Sequence, residues 1–194
     1  PALVIFNEGI TNFLYNTFKP DGADLRFLND SKTAELNYEI DEWNSNGNSH
    51  IWVQVPQFTN NCFIWAYWGN NSAVSPPAYA TNGAAWSMGF GSVWHLRDGT
   101  NITYDSVARY TGTPQNVSAI TGVVEGASSF NGTDAQISTT YTQPPATSYT
   151  ASAWIKTTDA AANKMIISDR GAGSGMSLSF GLRAGGGRPF FGLD

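Results

Sequence analysis

The chain of 194 residues is long enough for one large domain or two small ones. Charged residues make up 13% of it and aromatic residues another 13%, and together with 20 Gly this composition is typical of a turn-rich β protein. The net charge of -5 and the lack of a Lys/Arg run argue against nucleic-acid and anionic-membrane partners. No apolar stretch reaches about eighteen residues, so we expect no membrane insertion.

One cysteine and two histidines restrict the metal and redox chemistry of the chain. A single cysteine excludes an internal disulfide and a cysteine-rich zinc site. Cys62 stands in an apolar block and is predicted to be a small buried residue. His50 and His95 are too far apart in sequence to indicate a metal cluster.

Both ends of the chain lie within strand-like apolar runs, residues 1–6 and 189–194. A natural N-terminus rarely begins inside a strand, because an isolated apolar edge promotes aggregation. We therefore expect both ends to be the boundaries of a fragment or a processed product.

The first half consists of strand-length aromatic blocks separated by polar turns about every ten residues, which is typical of an all-β sandwich. Pro-Asp-Gly at residues 20–22 predicts a turn, and the Asn-Gly pair within 44–48 predicts a hairpin loop. Residues 9–18 fit either a short helix or a looping connection. The predicted strands are 2–6, 25–28, 35–43, 50–55 and 63–68.

Alternation along these strands predicts which side chains share a face. Glu39, Asp41 and Trp52 are expected on the outer faces of their strands. The block 63–68 is apolar on both faces, which predicts a central strand covered on two sides. The side chains expected to point inward are Leu36, Tyr38, Ile40, Ile51, Val53 and Val55.

Residues 70–91 lose this pattern and are rich in Pro, Ala, Ser and Gly, so they contain the best candidate for a domain boundary. Gly171–Gly175 is interpreted as a hairpin loop rather than a phosphate loop, because it lacks the lysine and the following helix. The strand-length blocks after the boundary are 93–96, 126–132, 135–138, 150–157, 164–168, 176–182 and 190–193.

Four blocks in the first half resemble an uncharacterised bacterial family, formally a domain of unknown function. One residue departs from the pattern, because Trp68 stands where the family has a second tyrosine. The resemblance covers about residues 1–90 and implies a first domain there. The blocks are Gly22 to Phe27 (GADLRF), Tyr38 to Asn44 (YEIDEWN), Trp52 to Pro56 (WVQVP) and Tyr67 to Asn70 (YWGN).

The second half resembles a laminin-G-like, concanavalin A-like sandwich. The residues that carry this resemblance are 93–96, 105–106, 126–132 and 153–156. It implies two antiparallel, jelly-roll-like β-sandwich domains, 1–90 and 91–194, of which the second is expected to be incomplete at Asp194. It also implies an extracellular or cell-surface location.

The case for an enzyme rests on Glu39-Ile40-Asp41, which resembles one part of the active site of retaining β-glucanases. That chemistry requires a second carboxylate on the same face, and Trp43 and Asn44 occupy the positions expected for it. Glu42 points to the opposite face unless the strand contains a bulge. No Gly-x-Ser-x-Gly nucleophile motif is present. We therefore expect no catalytic residue.

Carbohydrate binding is the better-supported expectation, because sugars stack on Trp rings while polar side chains bind their hydroxyls. Trp43, Trp52 and Trp86 are the candidate ligand-binding residues. Trp43 and Trp52 flank one hairpin and are expected on the same side, and Trp86 is expected to be exposed or at an interdomain seam. Core burial is predicted for Trp65, Trp94 and Trp154.

Calcium is the cofactor that the laminin-G-like resemblance implies. It requires oxygen ligands, for which Asp105, Asp134 and Asp169 are the candidates. The sequence contains no contiguous calcium-loop motif.

The leading hypothesis is a non-catalytic extracellular module for adhesion or carbohydrate binding. An alternative is a structural subunit of a surface layer, filament or virion, whose partners are other sandwich domains or copies of itself. A β-glucanase-like glycoside hydrolase is a third, weaker alternative.

Overall fold

The structure is a computed structural model that describes residues 1–72, 75–97, 101, 103–141, 148, 150–158, 163–169, 178–185 and 187–193. Within these ranges the regular structure consists of antiparallel β-strands and four short 3₁₀ helices. The predicted all-β class is confirmed. No helix in the same ranges is long and apolar enough to cross a membrane.

The described part of the chain forms fourteen β-strands. Three-residue 3₁₀ helices lie at Tyr15–Thr17, Pro20–Gly22, Ala78–Ala80 and Ala84–Trp86. The strands are Ala2–Phe6 (β1), Arg26–Leu28 (β2), Glu35–Leu36 (β3), Tyr38–Glu42 (β4), Ser49–Val53 (β5), Trp65–Tyr67 (β6), Thr103–Tyr104 (β7), Thr111–Gln115 (β8), Val117–Thr121 (β9), Gly126–Phe130 (β10), Gln136–Thr139 (β11), Lys164–Asp169 (β12), Leu178–Arg183 (β13) and Arg188–Leu193 (β14).

The chain divides into two compact units, Pro1–Thr139 and Thr140–Asp194. This division differs from the boundary at residues 90/91 that the sequence suggested, and the two sequence domains stay a prediction. The first unit contains the sheets β1-β5-β4 and β3-β2-β6, together with β10-β9 and β11-β8-β7. The second unit contains the sheet β12-β13-β14.

The first two sheets pack face to face as a sandwich around one apolar core. Their facing side chains include Phe27 from β2, Tyr38 from β4 and Ile51 from β5, all of them buried. Tyr38 is satisfied in this core because its hydroxyl donates to the Leu25 carbonyl at 2.6 Å. The other members of the core are Phe6, Phe13, Tyr15, Leu25, Leu36, Val53 and Ala80.

Strand β6 lies at the edge of its sheet, so the predicted central position of residues 63–68 is wrong. Only Ala66 packs against the core, whereas Trp65 and Tyr67 point to the outside. Cys62, just before this strand, is exposed and not buried as predicted. Apolar composition on both faces therefore did not indicate burial on both faces here.

The segment that follows residue 91 belongs to the first unit. Trp94 forms an isolated antiparallel bridge with Asp105, and the Ser106 amide donates to the Val93 carbonyl at 2.8 Å. The predicted block 93–96 is thus a bridged segment and not a full strand. Strands β8 and β9 were not predicted.

The described part of the second unit is an antiparallel three-stranded sheet with a register shift between Met165 and Ile167. Residues 150–158 are described and contain no strand, contrary to the prediction for 150–157. The predicted loop Gly171–Gly175 lies outside the described residues.

Candidate functional site

A β-bulge in β4 places two acidic side chains beside one another on the outer face of the sandwich. Tyr38 to Ile40 pair in register with β5, and the register then shifts so that Glu42 faces His50. Asp41 is the extra residue of the bulge. Because Tyr38 points into the core, Glu39 points outward, as the sequence predicted.

Glu39 is held by three side chains that lie outside its own strand. Its Oε1 accepts a hydrogen bond from Ser106 Oγ at 2.7 Å. Its Oε2 accepts from Trp86 Nε1 and lies 3.6 Å from His95 Nε2, a distance that fits an ion pair better than a direct hydrogen bond. The carboxylate is thus tied to segments on both sides of residue 91.

Asp41 is almost completely buried, with a side-chain exposure of 3%. Its Oδ2 accepts from Trp52 Nε1 at 3.0 Å and lies 3.3 Å from His95 Nδ1. Arg97 Nη1 donates to both Asp41 Oδ1 and the Asp41 carbonyl, and it lies 2.9 Å from Glu125 Oε2. A buried carboxylate with these partners has its charge compensated.

The rings of Trp52, Trp86 and His95 pack against one another beside these carboxylates. Trp52 and Trp86 lie 5.5 Å apart between ring centroids, and each contacts the His95 ring, at 6.1 and 5.8 Å. Trp86 is only 5% exposed. We call the group the carboxylate cluster; its members are Glu39, Asp41, Trp52, Trp86, His95, Arg97, Ser106 and Glu125.

The cluster favours the charged forms of Glu39 and His95. Burial raises the pKa of Glu39, but contacts with His95, Trp86 and Ser106 outweigh it and hold that pKa below its usual value. Burial lowers the pKa of His95, but the Glu39 contact and the charges of Asp41 and Glu39 raise it above its usual value.

At the edge of the cluster, the pKa of Glu125 is raised, whereas that of Glu39 is lowered. Burial raises the pKa of Glu125, and the charges of Asp41 and Glu42 add to that effect beyond what Arg97 offsets. Arg97 thus lies between a buried acid that it neutralises and a second acid that it neutralises only in part.

Glycoside hydrolysis requires a pair of carboxylates, one of which acts as a general acid. A general acid needs a raised pKa, and that of Glu39 is lowered. The bulge does not make Glu42 available as a general acid, because Glu42 Oε2 lies 3.0 Å from His50 Nδ1. What the cluster does is bind one segment of the chain to another.

The three predicted ligand-binding tryptophans have different surroundings. Trp52 and Trp86 come together in the cluster, whereas Trp43 packs edge-on against Tyr15 and Phe18 at the core. The expectation that Trp43 and Trp52 share a side is therefore wrong. Trp86 is buried in the contact between segments and is not exposed. Their contact with a ligand stays a prediction.

The two candidate calcium ligands whose side chains are described accept hydrogen bonds from separate sets of donors, and Asp105 Oδ2 is buried without a hydrogen-bond partner in the described part of the chain. Asp105 Oδ1 accepts from the amides of Val93 and Val107 at 2.8 and 3.0 Å. Asp134 accepts from the side-chain amides of Asn116 and Asn131, both at 2.7 Å.

The Asp169 side chain lies outside the described residues. Among the side chains that are described, no three His, Cys, Asp or Glu residues are grouped to hold a metal ion. Calcium binding stays a prediction, and the donors around Asp105 and Asp134 suit carboxylates that stabilise loops.

A second surface, which the sequence did not single out, lies along β6. Phe63, Trp65 and Tyr67 are 54%, 38% and 43% exposed. The period of two places Trp65 and Tyr67 on one side of the edge strand, and Phe63 lies just before the strand and contacts Trp65. We call these three residues the β6 aromatic face. It was missed because strand-like apolar blocks are buried by default, and one sequence carries no direct signal for an edge position.

Polar groups of the β2–β3 turn lie beside the β6 aromatic face. Trp65 Nε1 donates to the Asp30 carbonyl at 3.0 Å, and Lys32 Nζ lies 3.8 Å from the centre of the Trp65 ring. Phe63 contacts Trp65 edge to face at 5.7 Å. Trp65 is thus fixed in place beside a polar loop.

The sequence blocks of the first half meet in space. Asp24 of the first block accepts hydrogen bonds from the amides of Gly69 and Asn70 in the last block, at 2.7 and 3.1 Å. Gly22 has a φ of +66° and faces the Trp43 ring, which a Cβ would approach to 2.7 Å.

Residues 21–89 match the family model described as Domain of unknown function (DUF2341). The chain contains a DUF2341 domain. This agrees with the predicted resemblance to an uncharacterised family. No curated protein and no solved structure matches the chain. The laminin-G-like resemblance of the second half has no support from these comparisons and stays a prediction.

The DUF2341 blocks have two physical roles in this chain. Gly22, Asp24 and Tyr38 stabilise the sandwich. Glu39 and Trp52 point outward and are members of the carboxylate cluster. The outward residues of the DUF2341 domain therefore bind Ser106 and His95, which follow the matched segment.

Proposed function

We propose that this protein is a non-catalytic, extracellular β-sandwich module that binds carbohydrate through the β6 aromatic face. The observation that carries the proposal is the group of exposed rings formed by Trp65 and Tyr67 on an edge strand and by Phe63 just before it. The extracellular location and a laminin-G-like second half are what the sequence resemblance implies.

The chemistry of this face suits a sugar ring. The apolar face of a pyranose stacks on an aromatic side chain, and polar groups nearby bind its hydroxyls. The turn beside Trp65 supplies such groups, including Lys32, Ser31 and Thr33, all of them exposed. Lys32 is a flexible surface side chain that a sugar displaces at little cost.

The carboxylate cluster supports the non-catalytic part of the proposal. Glu39 and Asp41 are both engaged by donors from other segments, and Trp86 covers one side of them. A substrate would have to displace these contacts before it reached either carboxylate.

The test is binding of the full chain to a panel of soluble and insoluble polysaccharides, with and without a calcium chelator. We expect Trp65→Ala to weaken binding about tenfold or more, because one stacked ring contributes about 1 kcal/mol beyond its buried area. The matched control is Trp154→Ala, which removes a tryptophan that is 98% exposed in the second unit.

Equal losses in the two variants, or no binding by the native chain to any polysaccharide, would contradict the proposal. Hydrolysis of β-glucan that disappears in Glu39→Gln would contradict its non-catalytic part.

Assembly is the second candidate, and an open edge strand favours it. Strand β1 lies at the edge of its sheet, and Ile5 on it is half-exposed. Such an edge can pair with another sandwich or another copy of this chain. Light scattering separates the candidates, because assembly predicts a mass that rises with concentration, whereas a constant monomer mass excludes self-assembly.

A further inference from the structure

The carboxylate cluster joins two stretches that are far apart in sequence. Glu39 and Asp41 belong to the DUF2341 domain, whereas His95 follows it. The His95 Nδ1 atom lies 3.3 Å from Asp41 Oδ2, and Nε2 lies 3.6 Å from Glu39 Oε2. Both ring nitrogens therefore face carboxylate oxygens, and only the protonated imidazole carries an N–H on both.

We infer that the carboxylate cluster is a pH-sensitive joint, which holds residues 93–97 and 103–106 on the outer face of β4 and β5 while His95 is protonated and loosens when His95 loses its proton. The neutral ring has one nitrogen without a hydrogen. That lone pair faces a carboxylate, so a contact that was attractive becomes repulsive. The inference does not depend on carbohydrate binding.

The other charged groups of the cluster determine whether protonation of His95 is favoured. Arg97 opposes protonation of His95, but it is itself bound to Asp41 and Glu125. The charged and titratable groups on the elements packed here are Glu39, Asp41 and Glu42 on β4, His50 on β5, and Arg97 and Glu125 from the later segment.

The pH range in which the joint is most stable follows from the pKa shifts of His95 and Glu39. His95 has a raised pKa in the folded chain, so its contribution is complete below 6.5 and is lost as the pH rises through the folded value. Glu39 has a lowered pKa, so its contribution is present above 4.5 and is lost as the pH falls through the folded value. The joint is therefore tightest between these two values.

Glu125 acts in the same direction as His95, because the contribution of a carboxyl group with a raised pKa is lost as the pH rises from 4.5 through the folded value. Its pKa is raised, so ionisation at higher pH places a charge where the folded chain disfavours one. Both effects act in the same direction as the pH rises.

The experiment is amide hydrogen exchange of the full chain, with rates expressed as protection factors to remove the intrinsic effect of pH. We expect protection of residues 93–97 and 105–107 to fall about tenfold between about pH 5.5 and about pH 8, while β2 is unchanged. Constant protection at the joint, or an equal fall in β2, would overturn the inference.

The two histidines of the chain supply the matched variants. His95→Gln removes the titrating imidazole but keeps a hydrogen-bonding side chain, and it should reduce the pH dependence to the part that Glu125 contributes. His50→Gln should leave that dependence intact. If the two variants respond alike, His95 is not the switch. NMR titration of the imidazoles of the native chain checks the same point without a mutation, since His95 must titrate above 6.5.

Discussion

At the scale of single residues, buried hydrogen bonds explain much of the DUF2341 sequence pattern in this chain. Asp24 is 2% exposed and accepts from three amides, those of Lys19, Gly69 and Asn70. A carboxylate with several backbone donors fixes the loops that carry those donors. Its role is to join the start of the domain to its last block.

We predict that Asp24→Ala lowers the free energy of unfolding by roughly 3 kcal/mol, because it leaves the amides of Lys19, Gly69 and Asn70 without their buried acceptor. The measurement is urea unfolding of the full chain. Asp30→Ala is the control, since Asp30 is exposed and its side chain accepts a local hydrogen bond from Ser31, and it should cost less than about 1 kcal/mol. Equal losses in the two variants would refute the assigned role of Asp24.

At the scale of elements, the sequence predicted strands at β1 to β5, and alternation predicted which side chains share a face along residues 35–43 and 50–55, because the period of two is a local property. The position of β6 in its sheet was not predictable, since it depends on which strands pair. The cluster was also not predictable, because Arg97 lies 56 residues from Asp41 and neither residue type alone indicates a partner. The bulge was considered from the sequence but has no local signature there.

Asp41 should be the more important of the two acids at the bulge. We predict that Asp41→Ala destabilises the first unit by about 3 kcal/mol, because it leaves Trp52 Nε1 and Arg97 without their buried acceptor. Glu42→Ala should cost under about 1 kcal/mol, because Glu42 is partly exposed and bonds only His50. Thermal unfolding of both variants compares them, and a larger loss for Glu42→Ala would show that the joint is misassigned.

At the scale of the whole molecule, the first unit has two outer faces with different tasks. Tyr38 and Ile51 point into the core, so the cluster lies on the outer face of the sheet β1-β5-β4. Phe27 and Ala66 also point inward, so Trp65 and Tyr67 lie on the outer face of the other sheet. The proposed carbohydrate-binding face and the proposed pH-sensitive joint therefore lie on opposite sides of one sandwich.

The most direct test of the proposed function is an NMR titration of the seven tryptophan indole N–H signals of the native chain with a polysaccharide that it binds. We predict that the Trp65 signal shifts, while the signals of Trp52 and Trp86 in the cluster and of Trp154 in the second unit stay in place. A shift at Trp52 or Trp86 with none at Trp65 would contradict the account, because it would place the ligand at the carboxylate cluster.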